Sequence, residues 1–170
     1  AVQGLAHFVS RGAFDIEGLG NRQIEQFYEL GWVKEPSDIF KLKLRYENGI
    51  QRLENRDGWG KKSANNLFNA IEAKRKIPLN KMLYALGIRH VGENSASLLS
   101  KHYKSFDNLR KSMDEAKNME DKKWSELLSI DGVGEILAKT IVQVFCNPSQ
   151  RKIIDNLVDE LEIESELNVL

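Results

Sequence analysis

The sequence has little cysteine and proline and no long apolar run. Its 170 residues include one cysteine, Cys146, and three prolines, so the chain by itself closes no internal disulfide and supplies no zinc site of several cysteines. A lone thiol is typical of a reducing cytoplasm. The best apolar stretch, residues 82–88, is far shorter than the roughly 18 residues that a membrane-spanning helix needs. The composition therefore predicts a soluble globular chain of one domain or two small ones.

Neither sign of charge dominates the whole chain, but the charge is unevenly distributed. The 25 basic and 25 acidic side chains give a formal charge of zero. Residues 1–110 carry 18 Lys and Arg against 12 Asp and Glu, whereas residues 111–170 carry 7 against 13. Because phosphate is bound by a local patch rather than by an average charge, the first two thirds are a candidate nucleic-acid surface. The acidic remainder is equally explained by a solvated helix face.

A glycine–apolar–glycine triplet recurs along the sequence and predicts its architecture. We call the copies at 18–20, 58–60, 90–92 and 132–134 hairpins 1 to 4; hairpin 3 has histidine in place of the first glycine. Small or apolar residues recur four and seven positions after the second glycine, as on the inner face of a helix. They are Ile24, Ala64, Ala96 and Ala138, then Phe27, Leu67, Leu99 and Ile141. We expect each copy to be a helix, a tight turn and a second helix, with the four copies packed as two pseudo-symmetric pairs.

Helix start and stop signals favour an all-α chain. Pro78 stops the helix that begins near Lys61, and Asn147, which is followed by proline, caps a last helix. The cleanest division falls at the first of these prolines, with one hairpin pair over 7–78 and the other over 79–162. No strand is expected before the C-terminal residues, where three apolar side chains roughly alternate: Ile163, Leu167 and Val169.

The hairpins are candidate phosphate sites. A tight turn that leads into a helix presents unpaired backbone N–H groups and the positive end of the helix dipole, and glycine leaves room for an anion. Such contacts ignore base identity, so they position a duplex without reading its sequence. The polar side chains next to the turns are the candidate DNA-binding side chains: Asn21, Arg22, Lys61, Lys62, Arg89, His90 and Asn94. Hairpin 4 offers Asp131 and Glu135 instead and is the weakest candidate.

Patterns that carry catalysis are scarce. The three histidines are scattered, and the acidic doublets at 114–115 and 120–121 are typical of solvated helix faces. The sequence has no phosphate-binding loop, dinucleotide fingerprint or nucleophile elbow. We therefore expect no catalytic residue, no metal site and no cofactor in this chain.

Five blocks of the sequence strongly resemble the helix-hairpin-helix region of the bacterial NAD⁺-dependent DNA ligases. They are HFVSR at 7–11, DIEGLG at 15–20, KKSANNL at 61–67, ALGIRHVGE at 85–93 and GVG at 132–134. The blocks that begin at residues 7 and 85 are specific to that family, whereas the triplets alone are shared with many DNA repair proteins. The resemblance extends from about residue 5 to residue 161 and implies a tandem helix-hairpin-helix fold.

The resemblance also implies a place in a larger protein. In that family, an NAD⁺-binding adenylation module, an oligonucleotide-binding fold and a four-cysteine zinc finger precede the hairpins, and a BRCT domain follows them. Residues 1–6 would then remain from the zinc-finger side, and residues 163–170 would lead towards the BRCT domain. The parent would seal nicks during replication and repair in the bacterial cytoplasm, at the nucleoid, using NAD⁺, Mg²⁺ and a structural Zn²⁺.

For the hairpins themselves, the resemblance implies a grip on the minor groove of duplex DNA on both sides of a nick. The phosphate contacts would come from the amides of the turn glycines: Gly18, Gly20, Gly58, Gly60, Gly92, Gly132 and Gly134.

The approach to hairpin 2 departs from the family pattern. Residues 45–57 are longer and more polar than usual, and Arg56 stands where an aliphatic residue is expected. This arginine either adds a phosphate contact or loosens the turn. Two other interpretations of the whole chain remain open: a hairpin domain of another repair factor, and a protein-interaction module whose hairpins are only structural turns.

Overall fold

The structure is a computed structural model that describes residues 2–166. Its helices are α1 Val2–Val9, α2 Asn21–Glu29, α3 Pro36–Ile39, α4 Leu42–Tyr46, α5 Lys61–Ala73, α6 Leu79–Ala85, α7 Glu93–Tyr103, α8 Phe106–Glu115, α9 Lys122–Ser129, α10 Glu135–Cys146 and α11 Pro148–Val158. A 3₁₀ turn covers Leu53–Asn55, and the strands are β1 Lys76–Pro78 and β2 Glu162–Glu164. The predicted all-α fold class is confirmed. No helix within the described range is long and apolar enough to cross a membrane.

The predicted inner faces of the hairpin helices form the core. The eight side chains at the fourth and seventh positions after the second glycines are all buried: Ile24, Phe27, Ala64, Leu67, Ala96, Leu99, Ala138 and Ile141. Three of the four middle residues of the turns, Leu19, Val91 and Val133, are buried as well. Three of the four residues at the fourth position are small alanines, and the close backbone approach that the sequence predicts there stays a prediction.

Hairpin 2 lacks the first helix that the repeat predicts. The chain leaves α4, bends through Gly49 at a φ of +91°, and reaches the turn through the 3₁₀ segment alone. The buried Leu53 anchors that segment. The longer, polar approach noted in the sequence therefore replaces a helix with an irregular segment.

An aromatic stack holds this irregular segment in place. The ring of Phe27 stacks on Trp59 at 5.7 Å and on Trp32 at 5.8 Å between centroids. Tyr46 lies parallel to Trp32 at 3.7 Å, and the Arg56 guanidinium sits 5.2 Å from the same indole. Cation–π contact thus takes the place of the aliphatic packing expected at position 56.

A short parallel sheet joins the middle of the chain to its C-terminal part. β1 pairs with β2, with Ile77 opposite Ile163. The expectation that no strand precedes the C-terminal residues is therefore wrong, because the proline at the end of β1 is also typical of a helix stop; α5 ends at Ala73. The predicted alternation at Leu167 and Val169 lies outside the described residues, as do Ala1 of the proposed 1–6 remnant and residues 167–170 of the proposed 163–170 linker. The domain division stays a prediction.

Arg75 lies beside this sheet and connects distant parts of the chain. Its Nε donates to Glu72 at 2.7 Å, and its Nη1 donates to the Glu160 carbonyl at 2.9 Å and carboxylate at 3.0 Å. Its Nη2 donates to the Phe40 carbonyl, and its guanidinium lies 5.5 Å from the Phe40 ring. The hydrogen bond from Arg75 holds the pKa of the Glu72 carboxyl below its ordinary value. These contacts give Arg75 a structural role in the fold.

The last helix begins as the sequence predicts. The Asn147 Oδ1 accepts a hydrogen bond from the Gln150 N–H at 3.2 Å, with Pro148 at the first helical position. Its side chains Ile154 and Leu157 are buried, whereas Ile153 remains partly exposed.

We expect Arg75→Ala to lower the free energy of unfolding by about 2 kcal/mol, because it removes charge-assisted bonds and leaves the Phe40 and Glu160 carbonyls without their donor. Urea unfolding followed by circular dichroism measures the change. Lys74→Ala removes the same charge one residue away, where no such bonds are made within residues 2–166, and should cost less than about 0.5 kcal/mol. Equal losses in the two variants would contradict a connecting role for Arg75.

Candidate nucleic-acid interface

The four hairpins share one backbone hydrogen bond. In each turn, the N–H of the middle residue donates to the carbonyl oxygen three residues earlier. The N···O distances are 3.2 Å for Leu19 to Ile16, 3.0 Å for Trp59 to Arg56, 2.9 Å for Val91 to Ile88 and 2.9 Å for Val133 to Ile130. Hairpin 2 makes this bond although its acceptor belongs to Arg56, so the arginine does not loosen the turn.

The first residue of every triplet has a left-handed backbone. Its φ is +86° at Gly18, +82° at Gly58, +73° at His90 and +94° at Gly132. Histidine occupies this region less readily than glycine, yet hairpin 3 keeps the same turn. The second glycine is extended in all four copies and stands directly before the helix. The repeat seen in the sequence is therefore also a repeat of backbone geometry.

Two of the predicted phosphate-binding amides are already hydrogen-bonded. The N–H of Gly20 donates to the Gln23 Oε1 at 3.0 Å, and that of Gly60 donates to the Ser63 Oγ at 2.9 Å. Sequence reasoning missed these bonds, although a Gln three residues after a helix cap is a known capping signal. In hairpin 4 the same position holds the apolar Leu137, which has no such acceptor. The Gly20 and Gly60 amides are thus less available to an anion than the side chains that follow the two turns.

Those side chains are accessible. Asn21, Arg22, Lys61 and Lys62 occupy the first two positions of α2 and α5 and are exposed. Within residues 2–166, the three cations of this group form no salt bridge. They are free to contact an anion at the start of a helix, where the dipole also favours it.

Hairpins 3 and 4 differ in polarity. Arg89, His90 and Asn94 are exposed around hairpin 3. Around hairpin 4, the exposed groups are Asp131 and Glu135, and the latter pairs with Lys139 at 3.2 Å. The predicted basic residues are thus brought to hairpins 1 to 3, and hairpin 4 is acidic.

Side-chain contacts join the hairpins in pairs. The Gln26 Nε2 donates to the Asp57 carbonyl at 3.2 Å, and its Oε1 accepts from the Trp59 Nε1 at 2.8 Å. Leu98 stands at the matching position after hairpin 3, and its Cδ1 would lie only 2.8 Å from a Cβ added to Gly132 in hairpin 4. Hairpin 1 therefore packs on hairpin 2, and hairpin 3 packs on hairpin 4 in the same register. Trp59 is packed in its turn, as predicted.

Outside the hairpins, one member of each acidic doublet has a structural partner. Asp114 of the first acidic doublet pairs with Arg151, and Asp121 of the second caps α9. Burial raises the pKa of the Cys146 thiol. Among the described residues, no three His, Cys, Asp or Glu side chains are grouped to hold a metal ion.

The turns, their shared hydrogen bond and the helices that follow define the class of protein: the chain is a tandem helix-hairpin-helix domain. A family described as "Helix-hairpin-helix motif" matches residues 81–154, which include hairpins 3 and 4.

Over nearly its whole length, this domain is similar to part of proteins named DNA ligase. It is 54% identical to that of Roseobacter denitrificans over 96% of this chain and 23% of the relative. For Cereibacter sphaeroides the values are 52%, 96% and 23%, and for Azorhizobium caulinodans 44%, 95% and 24%. The chain spans about a quarter of the length of the curated relatives it matches. The predicted resemblance to a DNA ligase segment is confirmed; dependence on NAD⁺ stays a prediction.

The geometry of hairpin 2 predicts unequal roles for its two glycines. We expect Gly58→Ala to lower the free energy of unfolding by about 1 kcal/mol, because its φ of +82° disfavours any side chain. Gly60→Ser should change it by less than about 0.5 kcal/mol, since Gly60 is extended, a Cβ there meets nothing within 4 Å, and serine is a good cap. Urea titrations compare the two. A larger loss for Gly60→Ser would contradict this assignment.

Proposed function

We propose that the chain is the duplex-binding module of a DNA ligase and that it holds DNA without regard to base sequence. The observation that carries the proposal is the repeated hairpin backbone with unpaired cations at its helix starts. Arg22, Lys61 and Lys62 would contact phosphates, joined by Arg89 in hairpin 3. Phosphates are the same at every step of a duplex, so these contacts set position and not sequence preference.

The pairing of the hairpins supports contacts on both sides of a nick. Each pair presents two turns in the same register, and a pair could follow the sugar–phosphate edges of the minor groove. We propose that the first pair supplies most of the ionic attraction. The helices after hairpins 1 and 2 carry cations within their first two positions, whereas the helix after hairpin 4 begins with Glu135. The turn amides of Gly18, Gly58, Gly92, Gly132 and Gly134 remain candidate donors.

The sealing reaction is proposed for the parent protein. The similarity to DNA ligases supports a parent that joins nicked strands in replication and repair, and we assign NAD⁺, Mg²⁺ and a structural Zn²⁺ to its other segments. Among the described residues, no group of three His, Cys, Asp or Glu side chains could hold a metal ion. We propose a cytoplasmic location at the nucleoid for this parent protein, because that is where it would meet its DNA.

A protein-interaction role is the competing function, and the acidic residues 111–170 favour it. In that case the hairpins would be turns only, and reversing their charge would leave DNA binding unchanged. A hairpin domain of a different repair factor would also bind DNA, but the similarity over 96% of the chain favours a ligase.

The proposal is tested by the affinity for a nicked duplex from about 25 to 200 mM salt, with two unrelated base sequences. We expect equal affinities for the two sequences and a log–log slope that reports several neutralised phosphates. Reversing both charges of hairpin 2, with Lys61→Glu and Lys62→Glu, should reduce the magnitude of this slope by about two and weaken binding at low salt.

A matched control is present in the chain. Lys122 and Lys123 are also the first two residues of a helix, α9, but they do not follow a hairpin turn. Reversing both of these lysines makes the same charge change and should leave the slope within about one half of its original value. Equal effects of the two double variants would show that total charge, and not the hairpin, governs binding.

A further inference from the structure

The second helical residue after each hairpin faces solvent in all four copies. These residues are Arg22, Lys62, Asn94 and Ile136, and each is exposed. The first two are cations and the third is polar. Ile136 stands at the same position after hairpin 4 and is 70% exposed. An apolar side chain thus occupies a position that the other hairpins fill with polar groups.

The fold does not need the Ile136 side chain. Val133 and Leu137, on either side of it in sequence, are buried and supply the apolar packing of hairpin 4. Isoleucine is among the residues most often buried in proteins, so its exposure at this repeated position is informative. The backbone carbonyl of Ile136 accepts a hydrogen bond from the Thr140 Oγ1 at 2.9 Å. This bond lies within the helix and does not involve the Ile136 side chain.

The charges around Ile136 disfavour a phosphate contact at this hairpin. Glu135 precedes it and places a carboxylate at the helix start, where the dipole already stabilises it. Lys139, the nearest cation on the helix, pairs with that carboxylate at 3.2 Å. Asp131 adds an exposed negative charge in the turn, but Glu17 and Asp57 do the same at the matching positions of hairpins 1 and 2. Hairpin 4 is distinguished by having no cation between residues 131 and 136, and by the apolar side chain at the second helical position.

We propose that Ile136 makes an apolar contact with the deoxyribose edge of the duplex, in place of the phosphate contacts made by hairpins 1 and 2. This inference rests on the proposed function, because it assumes that the shared backbone presents all four hairpins to the same DNA. Proteins that bind the minor groove use isoleucine and other apolar side chains, which they insert between base steps. A single isoleucine at a helix start would instead pack on the sugars that form the walls of the groove. The contact adds affinity without neutralising a phosphate, so it does not depend on salt.

The test measures the affinity of the chain for nicked duplex across the same salt range. We expect Ile136→Ala to weaken binding about fivefold at every salt concentration and to leave the slope unchanged, since only apolar contact is lost. Ile50→Ala is the matched control, because Ile50 is 99% exposed and lies outside the hairpins; its affinity should stay within about twofold. Circular dichroism verifies that both variants are folded.

Ile136→Lys completes the test. A lysine at this position should steepen the slope by about 0.9, the value for one added phosphate, because the side chain then reaches past the sugar. A steeper slope for the lysine variant combined with an unchanged affinity for Ile136→Ala would overturn the apolar contact. If neither variant changes the affinity or the slope, the apolar contact is also wrong. Hairpin 4 would then lie away from the DNA, where its surface could meet a protein partner.

The two proposals fail in different ways. If Lys61→Glu with Lys62→Glu lowers the slope while both Ile136 variants behave as the original chain, the duplex-binding function stands and the Ile136 contact is wrong. If the original chain shows no salt-dependent binding to the duplex even at low salt, both proposals are wrong.

Discussion

The candidate interface depends on one constraint, the tight turn in which the N–H of the middle residue donates to a carbonyl oxygen three residues earlier. That bond and the left-handed residue before it fix the direction in which the following helix leaves the turn. The middle side chain is then directed inward, as Val91 and Val133 show by their burial. Once the direction is fixed, the fourth and seventh helical positions face the core and the first two face solvent. Burial of Ile24 and exposure of Arg22 are thus two results of the same turn.

The sequence predicts those features of the fold that local rules determine. Glycines in a fixed frame, small residues such as Ala64 at a fixed distance, and an Asn147 followed by proline all act within one turn of helix. It could not predict β1, because that strand exists only through pairing with β2, and the Arg75 contacts reach residues 85 positions away. Nor could it show that Arg56 stacks on Trp32, since the replacement of an aliphatic contact by a cation–π contact requires both positions to be known.

The candidate interface was predictable in part for the same reason. Polar residues directly after a glycine turn are exposed in the structure, because the turn fixes which way they point. The occupancy of the Gly20 and Gly60 amides depends on the side chains of Gln23 and Ser63, whose hydrogen bonds the pattern of cations does not reveal. The sequence does not predict the exposure of Ile136, because apolar residues in a helical repeat are expected to face inward. Hairpins of one backbone thus differ in chemistry, with ionic groups in the first pair and an acidic, partly apolar tip in the last.

The parallel pairing of β1 with β2 has a mechanical consequence. This sheet and the Arg75 contacts join the two hairpin pairs through residues outside the turns, and we expect them to limit changes in the spacing between the pairs. A duplex bound by both hairpin pairs would then have to match the spacing between the pairs through its own curvature and groove width. Under the proposed function, the DNA rather than the protein would therefore deform when the two bind. Steps in the duplex that deform easily, such as a nick, would be the places where the match is reached at least cost.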